Sequence, residues 1–400
     1  MRAAAWAINR DIVAARLSWK RARQVADALP DDEPDRTGKR IAPRTMLCGT
    51  SWRGTPDPFS ARFEELRELC AEAGDKTSLA IGMTGLVSEY LRHARVREAS
   101  RLASEQIALV DSIGDLALMI GAAFSAVAIK SVCGDMADVL RWSQTAIDWA
   151  GGDPVKGSLV VGSPLAAALA FRGAARWWSG RPGWREDLDD ATVIARNADP
   201  WTLGLVMAWK YGHGISNGVL RGDDAAVRDL EGALRIAEAA SDDVALGTVT
   251  WVLAHVLLDR GAEGDGQRGL ELLEQVRDMF LHQGFPLSEL PMMNLYAARE
   301  EVRGGGLDSA IRRPPVRREG ASRLPRSPSC RQNRFPTPQF AWSPAIFHLN
   351  PVSPLIPVSP FMVLPHQLRE APNLVAQLVD VSGRGRLGGV FFFADALDDP

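Results

Sequence analysis

GDLALMIGAAFSAVAIKSVCGDMADVLRWSQTAIDWAGGD, from Gly114 to Asp153, contains one full structural period. Its first half, Leu116–Val132, is apolar on every side, rich in Ala and Gly with bulky residues between. A helix of that kind must be packed on several faces. Gly134-Asp135 then interrupts it. Glycine accepts the left-handed backbone that closes a helix, and an aspartate just after it caps the amides of the next one. The stretch up to Gly152 mixes apolar and charged residues, so the period reads helix, tight turn, helix, turn.

The same punctuation recurs outward from this stretch. Stops stand at Gly74-Asp75, Gly114-Asp115, Gly152-Asp153, Asp199-Pro200 and Asp242-Asp243, spaced 40, 38, 46 and 43 residues from Asp to Asp. Between them lie Gly134-Asp135, Gly180-Arg181-Pro182-Gly183, Gly222-Asp223 and Gly261. Leu165–Trp178, Leu203–Leu220 and Val244–Leu258 repeat the apolar first helix. The second helices are amphipathic: Val227, Leu230, Leu234 and Ala237 form one stripe, as do Leu270, Leu273, Val276 and Phe280. Phe63, Leu66, Leu69 and Cys70 do the same near the front, and Leu79–His93 pairs with Val96–Gly114. A period of this length points to TPR-like hairpins rather than leucine-rich or propeller repeats. The expectation is an all-α solenoid, a right-handed superhelix of five or six hairpins over residues 1–304, with inner helices sandwiched and outer helices wet on one face. Gly121-Ala122-Ala123 and Gly173-Ala174-Ala175 are small enough for close helix approach.

After Gly304 the composition shifts, with 14 of the 25 prolines, 1 of the 12 tryptophans and no lysine in the last 96 residues. Residues 305–400 therefore read as a Pro/Arg-rich, mostly irregular tail, with a short helix at Leu364–Val381 and a strand at Gly389–Phe393 as local exceptions. Pro351, Pro354, Pro357 and Pro360 offer Pro-x-x-Pro spacing for a partner domain. The preferred reading is out-of-frame sequence: only 6 of 46 basic residues are Lys, a high-GC signature, and a shifted frame in such a gene yields Pro, Arg, Ser and Gly. A corrected translation that restores no helical repeat beyond Gly304 defeats it.

Hydrophobic residues are 46% and charged residues 24% of the 400, which suits a protein with a real core. A net charge of −3 gives no general attraction to nucleic acid or anionic membrane. No apolar run reaches the roughly 20 residues a membrane span needs, and Pro354, Pro357 and Pro360 break the apolar stretch Val352–Leu364. The N-terminus carries Arg10 and Asp11 within its apolar residues, unlike a secretory signal. Cys48, Cys70, Cys133 and Cys330 show no metal-ligand spacing and read as reduced thiols of a cytoplasmic protein.

Two stretches carry a family resemblance: Trp6–Arg16 continuing through Ala26–Pro30, and Arg44-Thr-Met-Leu-Cys-Gly-Thr-Ser-Trp-Arg53. They resemble the C-terminal TPR-like region of actinobacterial signalling proteins, which join a class III adenylate cyclase domain and a P-loop ATPase module to such repeats. LuxR-type ATP-dependent regulators are similar. The likeness covers roughly Met1–Arg303. It implies that chemistry resides upstream and that the repeats act as sensor or scaffold. The chain departs from the full pattern. It has no G-x-x-x-x-G-K-[ST], and Ala73-Gly-Asp-Lys-Thr77 lacks the glycine before lysine and follows a helix rather than a strand. Paired cyclase aspartates and a DNA-binding helix-turn-helix are also missing. The chain thus reads as a C-terminal fragment without a catalytic site or cofactor of its own.

Candidate binding residues each have a structural alternative. Arg172 and Arg176, four apart on an apolar helix, suit a carboxylate or phosphate in the concave groove. The preferred alternative is pairing with neighbouring acids such as Asp187. Lys210, His213 and Asn217 share one helix side, and His255 and Asp259 another; together they suggest a polar floor for a small ligand. The preferred alternative is satisfied core histidines; His255 and Asp259, four residues apart, could simply bond each other. Trp177, Trp178, Trp201, Trp209 and Trp251 suggest either aromatic recognition or, preferably, wedges between hairpins. His93, His282, the serines and the cysteines form no nucleophile–base–acid set. The leading expectation is a non-catalytic interaction or sensor module for a protein or peptide, or a small ligand in the groove. The alternatives are an inactive fragment of a cyclase or ATP-dependent regulator, and, remotely, an α-solenoid enzyme. A helix over Met1–Leu29 is expected to cover the front of the array. Leu287–Val302 has no evident cap, so self-association through the last repeat is expected.

Overall fold

The computed structural model describes residues 1–53, 59–93, 95–240, 242–283 and 290–305. Every regular element among them is helical. Helices α1 (Arg2–Ala7), α2 (Ile12–Asp27), α3 (Arg36–Gly49) and a short 3₁₀ turn, Ser51–Arg53, form the front. Then come α4 (Phe59–Ala73), α5 (Lys76–Arg92), α6 (Val96–Ile113), α7 (Leu116–Val132), α8 (Met136–Ala150), α9 (Pro164–Trp178) and α10 (Trp184–Ala195). Helix α11 runs over Pro200–Met207 and continues through a π turn, Ala208–His213, into Gly214–Ser216. The array closes with α12 (Asp224–Ala239), α13 (Asp243–Arg260), α14 (Asp265–Gln283) and α15 (Leu290–Arg303). The irregular tail, its Pro-x-x-Pro ligands and its suggested helix and strand lie outside the described residues, as does Cys330.

The aspartate stops act as expected. Asp75, Asp115, Asp135, Asp199, Asp223 and Asp242 each accept a backbone N–H from the first turn of the following helix. Gly114 and Gly261 close α6 and α13 with φ of 75° and 65°, a region costly for any residue with a Cβ. Asp153 is the exception. It accepts from Val155 N–H within a long loop, and Ser163, ten residues later, caps α9. The expected single helix over Met1–Leu29 is also two helices, because Asp11 accepts Ala14 N–H and starts α2 afresh.

Six hairpins, α3–α4 to α13–α14, stack in chain order, with α15 as a last inner helix. Each odd-numbered helix from α3 packs on the next odd-numbered one, from α3 on α5 to α13 on α15. The even-numbered helices chiefly touch their sequence neighbours. The odd helices are therefore the tighter inner layer and the even ones the outer layer. This explains the two sequence patterns. On α9, Ala168, Phe171 and Ala175 belong to the core shared with α5–α8, while Ala166, Leu169, Ala170 and Ala174 belong to the core reaching α15. A helix that serves two cores is apolar all round. Glycine lets such layers close: a Cβ on Gly173 would stand 2.9 Å from Leu188 of α10, and one on Gly85 of α5 would stand 1.9 Å from the Cys48 carbonyl oxygen of α3.

Candidate binding surface

The inner layer is filled in part by the chain's own segments. Beyond the end of α3, Arg53 reaches the first turns of α11 and α13. Its Nη1 donates to Asp199 Oδ2 at 3.0 Å and its Nη2 to Asp242 Oδ2 at 2.7 Å. All three side chains are at most 2% exposed. The other oxygen of each aspartate still caps its helix, through Thr202 N–H and Ala245 N–H. Burial alone would lower the guanidinium's pKa; the two carboxylates outweigh it and raise it. Beside it Trp52 meets Trp201 edge-on at 4.4 Å between ring centroids. The Val160–Ser163 end of the α8–α9 loop is buried against the same place: Ser163 N–H donates to Thr202 Oγ1, and a Cβ on Gly162 would strike Asp199.

From Trp52 a row of rings crosses the inner layer. Trp201 touches Phe124, Phe124 touches Phe171, and Phe171 touches Trp209. Trp209, His213, Trp251, His255 and Tyr296 continue it, with successive centroids 4.5, 5.9, 5.0 and 3.9 Å apart. Trp178 joins at Trp209 and Trp177 stands behind it. The tryptophans thus sit between hairpins. The π turn belongs to this arrangement: it carries Trp209 and His213 on successive turns, and Gly212 leaves room for the Trp251 ring.

Of the polar candidate residues, only His213 and His255 enter this row. Arg172 makes a two-pronged pair with Asp187, Nε to Oδ2 at 3.0 Å and Nη2 to Oδ1 at 2.6 Å, and also reaches Gln144. Arg176 donates to Asp187 Oδ2 and to the Gly183 carbonyl. Both arginines tie α9 to α10. Lys210 pairs with Asp189 of α10, and the Asn217 amide donates to the His213 carbonyl one turn back. Asp259 accepts Gly222 N–H at 2.7 Å and faces Arg221, so the expected His255–Asp259 bond does not form. His255 is fully buried, stacked on Tyr296, and neither ring nitrogen has a hydrogen-bond partner among the described residues.

This environment holds titratable groups in inert forms. Burial lowers His213 to about 4, although the residue as a whole is only partly buried. Burial, then the charge of Arg299, then His213 hold His255 well below the usual imidazole value. Burial pushes the Cys48 and Cys70 thiols up to about 12. Burial, with Asp229 accepting its O–H, raises Tyr211 far above the usual phenol value.

The sequence reading missed one concavity. A cavity of about 190 Å³ lies between α14 and α15. Leu270, Leu273, Met293 and Ala297 give it an apolar floor, and Glu274, Arg277, Asn294 and Glu301 a polar rim. Its only sequence signal was the apolar stripe of α14, which reads as core. No cluster of His, Cys, Asp and Glu suited to a metal ion occurs among the described residues, and none of their helices is long and apolar enough to cross a membrane. No protein-family model matches this chain, and no curated protein is significantly similar to it.

Proposed function

We propose that the array is a non-catalytic recognition module that takes a peptide or protein partner at its C-terminal end. The carrying observation is the cavity between α14 and α15. Its volume of about 190 Å³ falls below the range of about 300 Å³ and upward typical of small-molecule sites. An apolar floor with a charged rim suits one or two side chains of a partner helix or strand. The pKa shifts support the non-catalytic reading, since a general base works best with a pKa near the operating pH. His213 at about 4 and Cys48 at about 12 are poorly placed for that work.

Membership of a signalling protein rests on the resemblance at Trp6–Pro30 and Arg44–Arg53 to proteins with adenylate cyclase and ATPase modules. Genomic sequence on both sides of the coding region tests it: coding remnants of those modules are the expected result. The recognition role is tested on a peptide array with the full chain and with Asn294→Trp, which fills the cavity. Peptides retained by the wild type and lost by the variant support the reading. Equal retention by both proteins, or retention by neither, removes it.

A further inference from the structure

Charged side chains at the seams of this array usually close on one another. Arg172 and Arg176 of α9 share Asp187 of α10, Lys210 pairs with Asp189 of α10, and Arg268 of α14 pairs with Glu231 of α12. The α14–α15 seam is different. Leu270, Leu273, Glu274 and Arg277 stand at i, i+3, i+4 and i+7, so one face of α14 forms a wall of the cavity. Glu274 and Arg277 are neighbours on that face and opposite in charge, yet no ion pair joins them. Neither makes an ion pair or hydrogen bond with any described residue, and the same holds for Asn294 on the α15 wall. Glu274 is exposed and Arg277 half-buried. The Arg277 guanidinium thus gives up part of its hydration without gaining a counter-charge. Around one apolar floor stand an acid, a base and an amide, each with its bonding capacity unused.

We propose that this seam docks an amphipathic helix of a partner protein, which places an aliphatic side chain in the cavity, a base against Glu274 and an acid against Arg277. The proposal rests on the recognition role given above and specifies its partner. The spacing selects a helix. Arg277 follows Glu274 by three residues of α14, a rise of about 4.5 Å. Side chains three or four apart on a partner helix repeat at about 4.5–6 Å, whereas those on one face of an extended strand repeat at about 6.6 Å. The charges select a direction. A helix docked the other way round sets like against like at both positions, which is costly at a partly desolvated contact. The floor selects the residue between them. A cavity of about 190 Å³ lined by Leu270, Leu273, Met293 and Ala297 takes an aliphatic side chain and offers it no polar group at the bottom.

The test is selection from a displayed library of helical peptides of about 16 residues, randomised along one face. Selection is run on the full chain and on the charge-swapped variant Glu274→Arg/Arg277→Glu, which keeps the composition of α14. The wild type should enrich an aliphatic residue accompanied by a base and an acid three or four residues apart. The swapped variant should enrich the same pattern with the two charges exchanged. Exchanging the charges within a peptide selected on the wild type should weaken its binding to the wild type at least about tenfold, a readout that needs no variant. Peptides enriched without the charged pair overturn the proposal, and so does one charge order on both proteins. A swapped variant of wild-type helicity that enriches no pattern does the same. All three outcomes leave the recognition role in place. No enrichment on the wild type, or enriched peptides that bind Asn294→Trp equally well, removes the recognition role and the proposal together. Sedimentation velocity of the wild type alone covers the remaining occupant. A dimer that Asn294→Trp dissociates would mean that a second copy fills the seam, and overturns the assignment to a separate partner.

Discussion

Arg53 and Asp242, 189 residues apart in the chain, meet at 2.7 Å inside the inner layer, with Asp199 on the other arm of the same guanidinium. In a repeat array most contacts are between neighbours, and each repeat stabilises only the next. This contact links the front to the fifth and sixth hairpins. It also uses the helix caps as its anchor, since both aspartates hold a backbone amide with their second oxygen.

Arg53→Ala should therefore cost about 3–5 kcal/mol, because it leaves two carboxylates buried without a counter-charge. Arg53→Lys should recover only part of this, since a single ammonium does not present a planar fork to two partners. Urea unfolding of the three proteins checks it. A loss below about 1 kcal/mol in Arg53→Ala would mean the triad is hydrated in solution.

Asp187 carries two arginines, Arg172 and Arg176, with its own side chain 4% exposed. Asp187→Ala should destabilise by about 3 kcal/mol, as expected for breaking a largely buried pair. Peptide retention by the folded variant should stay at the wild-type level. Reduced retention by a variant that keeps its helicity would return Arg172 and Arg176 to the list of binding residues.

Acid should weaken the fold through the two histidines of the aromatic row. His213 titrates at about 4 when folded and near the ordinary 6.5 when unfolded; His255 is shifted the same way. The unfolded chain therefore takes up their protons first. Their contribution is complete above pH 6.5 and is lost as pH falls from there towards 4. For His213 the loss amounts to about 3 kcal/mol at the acid end. His213→Phe should flatten the stability profile between pH 6.5 and 4 relative to wild type, measured by denaturant midpoints across pH. Parallel profiles would show that the ring is hydrated.

Gly85→Ala should destabilise more than an ordinary glycine replacement. The added methyl would stand 1.9 Å from the Cys48 carbonyl oxygen, so α3 and α5 must separate. Exposed helical glycines usually gain about 1 kcal/mol from alanine; here the sign reverses, to a loss of about 2 kcal/mol or more. Gly232→Ala, whose methyl meets only the Arg235 side chain at 3.9 Å, is the control and should stabilise.

Thiol labelling of the native chain should spare Cys48 and Cys70. Both are buried with thiols pushed to about 12, whereas Cys133 is partly exposed. Peptide mapping after brief alkylation at pH 7.5 checks the order. Early labelling of Cys48 would mean that the end of α3 opens on that timescale.

The repeat architecture was legible because its signals are local. A glycine that must take positive φ, as at Gly114, and an aspartate that must meet an amide three residues on, as at Asp115 with Leu118, act within one turn of chain. The contrast between Leu116–Val132 and Val227–Ala237 records how many faces each helix buries. The sequence also allowed Asp187 as the partner of Arg172 and Arg176, since one helix turn and a short loop separate them. The α8–α9 loop misled the reading, because Asp153 looks like every other cap and only the buried Val160–Ser163 segment shows that the chain continues inward.

What the amino-acid sequence determined by itself was most of the helices and their caps, their pairing into hairpins and the division into inner and outer layers. Each of these is set by backbone stereochemistry or by burial of a face over fewer than about 45 residues. Only the tertiary structure decided that Arg53 closes on Asp199 and Asp242, that His255 stacks on Tyr296 rather than bonding Asp259, and that a cavity remains between α14 and α15. The last two depend on how adjacent inner and outer helices pack; the first depends on the small rotation between successive hairpins, summed over several repeats. No local pattern encodes that sum, because a slight change in each packing angle moves the ends of the array by many ångströms.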